Sequence, residues 1–295
     1  MARRYEANVN LENENSSHTL VVELVGYDKH VLDVGCSTGY IAEVLVKRGC
    51  RVTGIEIDPK AARRAEDHCE RVIVGDVESL NLGEELDEDA FDVIIFGDVL
   101  EHLKDPLQAL RRLKSSLGPG GYVVASIPNI AHGSVRLALM QGKFQYNSVG
   151  LLDSTHLRFF TRESLEQLFK DAGFLITGLR RTTRGIFDTE IEIDRETITE
   201  EMLQLVHRDP EGLTYQFVLT AQPFVEAGTL APASYEELIY ELTRKLRNFE
   251  ELQRKLEIRT EQLAQKEREV AMLAQEVADR NDMLARLEQF GRRDA

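Results

Sequence analysis

The chain has 295 residues, of which 42% are hydrophobic, and its formal net charge is −15 at pH 7. This length predicts one large domain, or one domain with an appendage, and the hydrophobic fraction is ample for a buried core. Because a strongly acidic body repels a phosphate backbone, we expect no nucleic-acid partner.

The sequence also predicts a cytoplasmic protein without a membrane span. No apolar run approaches the roughly 18 residues of a membrane helix, and residues 1–18 lack the apolar stretch of a signal peptide. Cys36, Cys50 and Cys69 form no CxxC pair, and their odd number favours reduced thiols. We expect all three cysteines to be small core residues.

Four segments differ in character along the chain. Residues 1–28 are polar and then helical, which predicts a lid or a first helix. Residues 29–225 alternate strands and helices, as one α/β domain does. Residues 226–233 contain Gly and Pro and indicate a hinge, and residues 234–295 have the composition of a coiled coil.

The hydrophobic runs of the second segment predict seven strands. They fall approximately at residues 30–35, 51–58, 71–76, 91–98, 121–128, 174–182 and 214–222, with helices near 59–68, 104–117 and 162–172. The first five strands are hydrophobic over their whole length, as expected when helices cover both faces of a parallel sheet. We therefore predict an α/β fold with a doubly wound, Rossmann-like sheet.

A glycine turn follows the first strand in the sequence VLDVGCSTGY, residues 31–40. A dinucleotide site would want GxGxxG, whereas this turn has only Gly35 and Gly39, enough for a carboxylate at a helix N-terminus. The carboxylate of Asp33 would repel a diphosphate but suits an ammonium group. Glu56 ends the second strand, where it can accept hydrogen bonds from two ribose hydroxyls. The turn therefore fits a ligand with an amino-acid end and a nucleoside end.

Three further motifs extend this pattern: Glu56, Gly75-Asp76 after the third strand, and GDVLEH, residues 97–102, after the fourth. Together with the DxGxxxG turn they resemble the successive motifs of class I S-adenosylmethionine-dependent methyltransferases over residues 14–222. DVLEHL and THLRFFTRESLEQLFKDAGF are similar to the O-methyltransferases of ubiquinone biosynthesis and of surface-polysaccharide genes. One departure is Ser37, where many members have glycine; because serine is small, we expect a local adjustment only.

The resemblance implies S-adenosylmethionine as cofactor and a set of residues that binds it. Asp33 would hold the methionine ammonium, Glu56 the ribose and Asp76 the adenine edge. The full set implied by the resemblance is Asp33, Gly35, Ser37, Thr38, Gly39, Glu56, Ile57, Asp58, Asp76, Val77, Asp98 and Val99. Two of these positions have an alternative, because Asp58 before Pro59 also suits a helix N-cap and Asp76 also suits a turn.

A hydroxyl acceptor reacts faster when a base removes its proton, and histidine is the usual base. His102 follows the fourth strand, and His156 lies in the long segment 128–161 after the fifth. We predict that one of them is the base, with a capping or hydrogen-bonding histidine as the alternative. Asp153 joins them as a candidate catalytic residue. An isolated Asp-x-x-His is weak evidence for a cation, so we predict no metal.

Three functions remain open from these residues. The first is O-methylation of a sugar hydroxyl in cell-surface glycan biosynthesis. The second is O-methylation of a small phenolic or quinone precursor, which would want an apolar channel. The third is a non-catalytic assembly module that binds S-adenosylmethionine, against which the intact Asp33, Gly35, Gly39 and Glu56 argue.

Residues 234–290 carry a heptad pattern. Every seventh residue from Tyr235 to Leu284 is apolar, and no Gly or Pro occurs from 233 to 290. Such unbroken heptads predict a long coiled-coil helix and hence a homo-oligomer, dimer or trimer. A lone helix lying on the domain is the alternative, but a helix of about 84 Å is too long for that.

Overall fold

In the computed structural model the described residues are 9–86 and 90–224, with the single positions 259 and 266. Contacts divide the chain into two units, Met1–Phe224 and Val225–Ala295. The predicted hinge at 226–233 and coiled coil at 234–295 lie outside these ranges, apart from the two single positions, so they and the homo-oligomer stay predictions. Among the described helices none is long and apolar enough to cross a membrane.

The first unit is built around a seven-stranded sheet, as predicted. Its strands are β1 His30–Val34, β2 Arg51–Glu56, β3 Arg71–Val74, β4 Phe91–Gly97, β5 Leu117–Pro128, β6 Phe174–Thr183 and β7 Thr214–Pro223, in the order β3-β2-β1-β4-β5-β7-β6. The first five strands run parallel, and β7 is antiparallel to both β5 and β6. Because β7 runs the other way, its first residues lie beside the last residues of β5.

Eight α-helices are described around this sheet. They are α1 Ser17–Val25, α2 Tyr40–Lys47, α3 Pro59–Ala65, α4 Leu82–Glu85, α5 Pro106–Leu113, α6 Gly133–Met140, α7 Arg162–Asp171 and α8 Glu200–Arg208. One hydrophobic core joins the sheet to α1 and α2, and the other joins it to α5 and α7. Helices therefore cover both faces, which confirms the doubly wound fold.

Local signals explain several helix boundaries. Thr161 and Ser164 form a reciprocal capping box at the start of α7, and Gly173 with φ +80° follows its end. The cysteines are free and buried.

Two segments on the carboxyl side of the sheet form an additional layer. The segment 128–161, predicted as a long connection, contains α6, and the segment 184–213 contains α8. Two small hydrophobic cores join them, one around Val135 and Leu152 and the other around Leu137 and Val206. This layer is thus packed structure that belongs to the same end of the sheet as the glycine turn.

Candidate active site

The predicted motifs meet at the carboxyl edge of the parallel strands. β1 pairs with β2 on one side and β4 on the other, so the turn after β1, Glu56 at the end of β2 and Asp98 after β4 are neighbours. The strand order reverses between β1 and β4, which is where open α/β sheets form a ligand crevice. The sequence located this crevice correctly.

The backbone conformation and close packing of the glycine turn limit which residues can occupy it. Gly35 and Gly39 have φ +72° and +79°. A Cβ on Gly35 would lie 2.6 Å from Val99 Cγ2, and one on Gly39 would lie 3.0 Å from the Cα of Ala65. Ser37 also adopts a left-handed φ of +51°, which explains why a glycine suits this position in related proteins.

Glu56 ties the turn to the neighbouring strand end. One carboxylate oxygen accepts a hydrogen bond from Ser37 N at 2.8 Å, and the other accepts one from Asp58 N at 2.8 Å. Each oxygen keeps a further lone pair for a ligand hydroxyl. The carboxylate is therefore held in place and is suited to a ribose diol.

Asp33 is the buried carboxyl at the end of β1. It is 2% exposed, and its Oδ2 has no hydrogen-bond partner among the described residues. Burial, with the nearby charge of Glu56, raises the pKa of Asp33 to about 7. A cationic ligand would supply what this oxygen lacks, and it would lower that pKa again.

The carboxylates of Asp58 and Asp76, implied for the nucleoside end of the cofactor, accept hydrogen bonds from nearby backbone N–H groups. Asp58 caps α3 by accepting from Lys60 N at 2.9 Å, and Asp76 accepts from Glu78 N at 2.9 Å in a turn. The capping and turn alternatives are thus what the structure shows for these two carboxylates. Ile57 is 65% exposed beside Glu56, which leaves its face open to a flat ring. Val77, by contrast, packs into the core.

Asp98 lies at the end of β4 in a left-handed conformation, φ +54°. Its Oδ1 accepts hydrogen bonds from Ser126 Oγ at 2.9 Å and from Gln216 Nε2 at 2.8 Å. Tyr40, the first residue of α2, is close enough for burial and the Asp98 charge to raise the pKa of its hydroxyl. Asp98 therefore faces the crevice from the strand next to the glycine turn.

The two predicted base candidates lie side by side. The rings of His102 and His156 are 4.8 Å apart between centroids. His102 Nδ1 lies 3.2 Å from the carbonyl of Thr155. Burial, followed by the charge of His102, lowers the pKa of His156. Its neutral form, with one ring nitrogen free to accept a proton, therefore predominates at pH 7.

Asp153 is buried and shapes the turn that carries His156. Its Oδ1 accepts from Thr155 N at 2.8 Å and from Thr155 Oγ1 at 2.6 Å, and its carbonyl accepts from His156 N. These contacts assign Oδ1 to the turn, and a direct catalytic role of the carboxylate stays a prediction. Through the turn, Asp153 positions the histidine.

Glu101 is a group to which the sequence analysis gave no role, although it lies inside the quoted DVLEHL motif. It is 1% exposed, and within the part of the chain that the structure describes neither carboxylate oxygen has a hydrogen-bond partner. Its ligand atom and those of His102 and His156 lie within 4.8 Å of one another, a spacing that can hold a cation. Burial and the Asp98 charge hold the pKa of Glu101 well above its usual range. The sequence signal that could have pointed to Glu101 is its position beside His102 in an otherwise largely apolar motif.

Rings continue from the histidine pair to the surface of the added layer. Phe159 lies 6.2 Å from His156 and 6.2 Å from Phe144, and Phe144 lies 5.5 Å from Tyr146. The segment 128–161 that carries these rings also has exposed apolar side chains: Leu139, Met140, Val149 and Leu157. The row leads from the exposed rings of Phe144 and Tyr146 to the base candidates.

These features agree with what comparison with known proteins finds. A family described as "Methyltransferase domain" matches residues 12–178, more than half of the chain. The chain belongs to this methyltransferase family. The resemblance seen in the four motifs is confirmed: the protein is a class I S-adenosylmethionine-dependent methyltransferase, and S-adenosylmethionine is its cofactor. The buried Asp33 oxygen that lacks a partner among the described residues fits the ammonium group of that molecule.

Two named relatives and one solved structure illustrate this similarity. The methyltransferase is 29% identical over 180 residues to the ubiquinone biosynthesis O-methyltransferase of Psychrobacter arcticus, covering 57% of this chain and 68% of the relative. The corresponding protein of Aeromonas salmonicida is 23% identical over 183 residues, covering 61% and 77%. A solved structure from Bacillus halodurans C-125, described as a methyltransferase, has a TM-score of 0.51 at 14% identity, covering 70% and 99%. That likeness shows the fold alone.

Proposed function

We propose that the methyltransferase transfers a methyl group to a hydroxyl of a small acceptor that has an aromatic or apolar body. The observation that carries this proposal is the aromatic row, Phe144, Phe159 and His156, which leads from the surface to the histidine pair. A flat apolar molecule would stack along such rings, and its hydroxyl would arrive beside a neutral imidazole.

The roles of the residues follow from this arrangement. When bound, S-adenosylmethionine supplies an electrophilic methyl group on a positively charged sulfur. Asp33 holds the ammonium group and Glu56 the ribose hydroxyls. The free ring nitrogen of His102 or His156 takes the proton of the acceptor hydroxyl, so that the oxygen gains charge only as it reacts. Most of the remaining rate enhancement comes from alignment of donor and acceptor.

The relatives favour this class of acceptor over the alternatives. The relatives described above are named as ubiquinone biosynthesis O-methyltransferases, a name that favours a small-molecule hydroxyl over a glycan hydroxyl. The exposed aliphatic residues Leu139, Met140, Val149 and Leu157 also suit an apolar molecule better than a sugar.

Transfer of labelled methyl groups tests the proposal. The full chain is incubated with methyl-labelled S-adenosylmethionine and a panel of phenols, catechols carrying alkyl tails, and nucleotide sugars, and products are analysed by mass spectrometry. We expect methyl ethers of the phenolic compounds. Methylated sugars with unmodified phenols would replace this acceptor class, and cofactor binding without any methyl ether in a broader acceptor panel would favour a non-catalytic module.

A further inference from the structure

The carboxylate of Asp98 is held by two side chains from β5 and β7, the next two strands of the sheet after β4. Ser126, on β5, donates its hydroxyl to Asp98 Oδ1 at 2.9 Å, and Gln216, on β7, donates its amide to the same oxygen at 2.8 Å. Asp98 N in turn donates to Ser126 Oγ at 3.0 Å. These contacts fix both the backbone and the side chain of a residue whose left-handed conformation is unusual outside glycine.

Both restraints act on one oxygen, so the other is free to serve a ligand. Among the described residues Asp98 Oδ2 accepts no hydrogen bond, and Asp98 is only half-buried. The titratable groups that sense its charge are Tyr40, Glu101, His156 and Tyr215. Asp98 therefore lies between the glycine turn, through Tyr40, and the histidine pair.

Val99, the residue after Asp98, places the Asp98 carboxylate next to the glycine turn. The side chain of Val99 fills the space above Gly35, where a Cβ would come within 2.6 Å of it. β4 is also the strand that pairs with β1 up to Val34 and Phe96. The methionine end of S-adenosylmethionine carries an ammonium group and a sulfonium, and a fixed carboxylate beside it stabilises positive charge.

We propose that Gln216 is a positioning residue of the methyl-donor site: together with Ser126 it holds Asp98 so that the free oxygen faces the cationic methionine end of S-adenosylmethionine. Gln216 does not touch the cofactor itself. It acts by restricting the rotation of the Asp98 side chain, which lowers the entropy that binding has to remove. The proposal concerns the cofactor alone, so it stands or falls separately from the acceptor class.

Cofactor affinity measured by calorimetry tests this role. Gln216→Leu removes the amide and keeps the size of the side chain. We expect the Kd for S-adenosylmethionine to rise about 5- to 20-fold, less than the loss of a direct hydrogen bond to a charged group because Gln216 acts through Asp98. Gln222→Leu is the matched control, because Gln222 lies on the same face of β7 and is exposed. Its Kd should equal that of the wild type, and thermal unfolding of both variants shows whether each is folded.

A second variant separates positioning from packing. In Gln216→Glu the new carboxylate repels Asp98 at pH 8, whereas near pH 5 its protonated form can donate the missing hydrogen bond. The ratio of the variant Kd to the wild-type Kd should therefore fall towards one as the pH falls. Taking this ratio also removes the effect of Asp33 titration, which is common to both proteins. A pH-independent ratio, or a Gln216→Leu variant that binds S-adenosylmethionine normally, would overturn the proposal.

Discussion

The two halves of the active site are assembled in different ways. On the cofactor side, the turn at residues 35–39 and Glu56 are joined by contacts between adjacent parallel strands and within a few residues, such as Glu56 with Asp58. On the acceptor side, contacts join residues far apart in sequence: His102 and Thr155, whose side chain and carbonyl meet, are 53 residues apart. The cofactor side is positioned by the ends of adjacent strands. The acceptor side is positioned by the packing of the additional layer formed by segments 128–161 and 184–213.

The largest expected effect lies on the acceptor side. His156→Ala and His102→Ala should each be tested, and loss of the base should lower kcat by about 10²–10⁴-fold while cofactor affinity stays nearly intact. His207→Ala, an exposed histidine on α8, is the control and should keep wild-type turnover. If both active-site variants keep their kcat at neutral pH, the histidine pair is not the base.

The cofactor side is tested by Glu56→Gln. This change removes the charge from the group that accepts from Ser37 and Asp58, and should cost about 2–4 kcal/mol of S-adenosylmethionine affinity. Calorimetry gives the affinity, with the exposed Glu66→Gln as a control that should bind normally. Unchanged affinity in a folded Glu56→Gln protein would contradict the ribose assignment.

Gly35→Ala tests how closely the turn is packed. The new Cβ meets Val99 at 2.6 Å and also requires alanine at φ +72°, so we expect about 2–3 kcal/mol lower free energy of unfolding and weaker cofactor binding. Gly120→Ala has a similar φ of +76° with open space around it, and should cost only about 1–2 kcal/mol. Equal costs for the two variants would show that crowding by Val99 is unimportant.

Asp33 links cofactor binding to pH and stability. Since its folded pKa, about 7, lies above the unfolded value near 3.8, the folded state holds a proton that the unfolded state releases, and this group lowers stability as pH rises from about 4 to 7. Asp33→Asn has no such titration. Between pH 5 and pH 8 its free energy of unfolding, measured with urea, should therefore fall by about 1–3 kcal/mol less than that of the wild type. Its cofactor affinity should nevertheless fall. Parallel pH dependences for the two proteins would show that Asp33 is not perturbed.

The smallest expected effect is that of metal removal. Burial and the Asp98 charge raise the pKa of Glu101, which disfavours the charged form that a cation needs as a ligand. Dialysis against EDTA should therefore leave methyl transfer unchanged. Loss of activity that returns with added divalent cation would assign a metal to Glu101, His102 and His156.

Sequence reasoning went further on one side of the site than on the other. The strands, the turn at Gly35 and the place of Glu56 follow from local patterns, because a buried parallel strand and the residue at its end are encoded within about ten positions. Gln216 could not be found this way, since its contact with Asp98 depends on β7 being antiparallel to β5. His102 and His156 were both singled out, but their contact depends on the packing of the segment after β5.

One titration tests directly whether the two halves work separately. S-adenosylmethionine is titrated calorimetrically into the wild type, into the His102→Ala/His156→Ala double variant and into Glu56→Gln, and methyl transfer to an accepted hydroxyl is measured on the same samples. We predict wild-type cofactor affinity without methyl transfer for the double variant, and at least about 30-fold weaker binding for Glu56→Gln. A double variant that has lost cofactor binding, or one that still transfers methyl groups at the wild-type rate, would contradict the account.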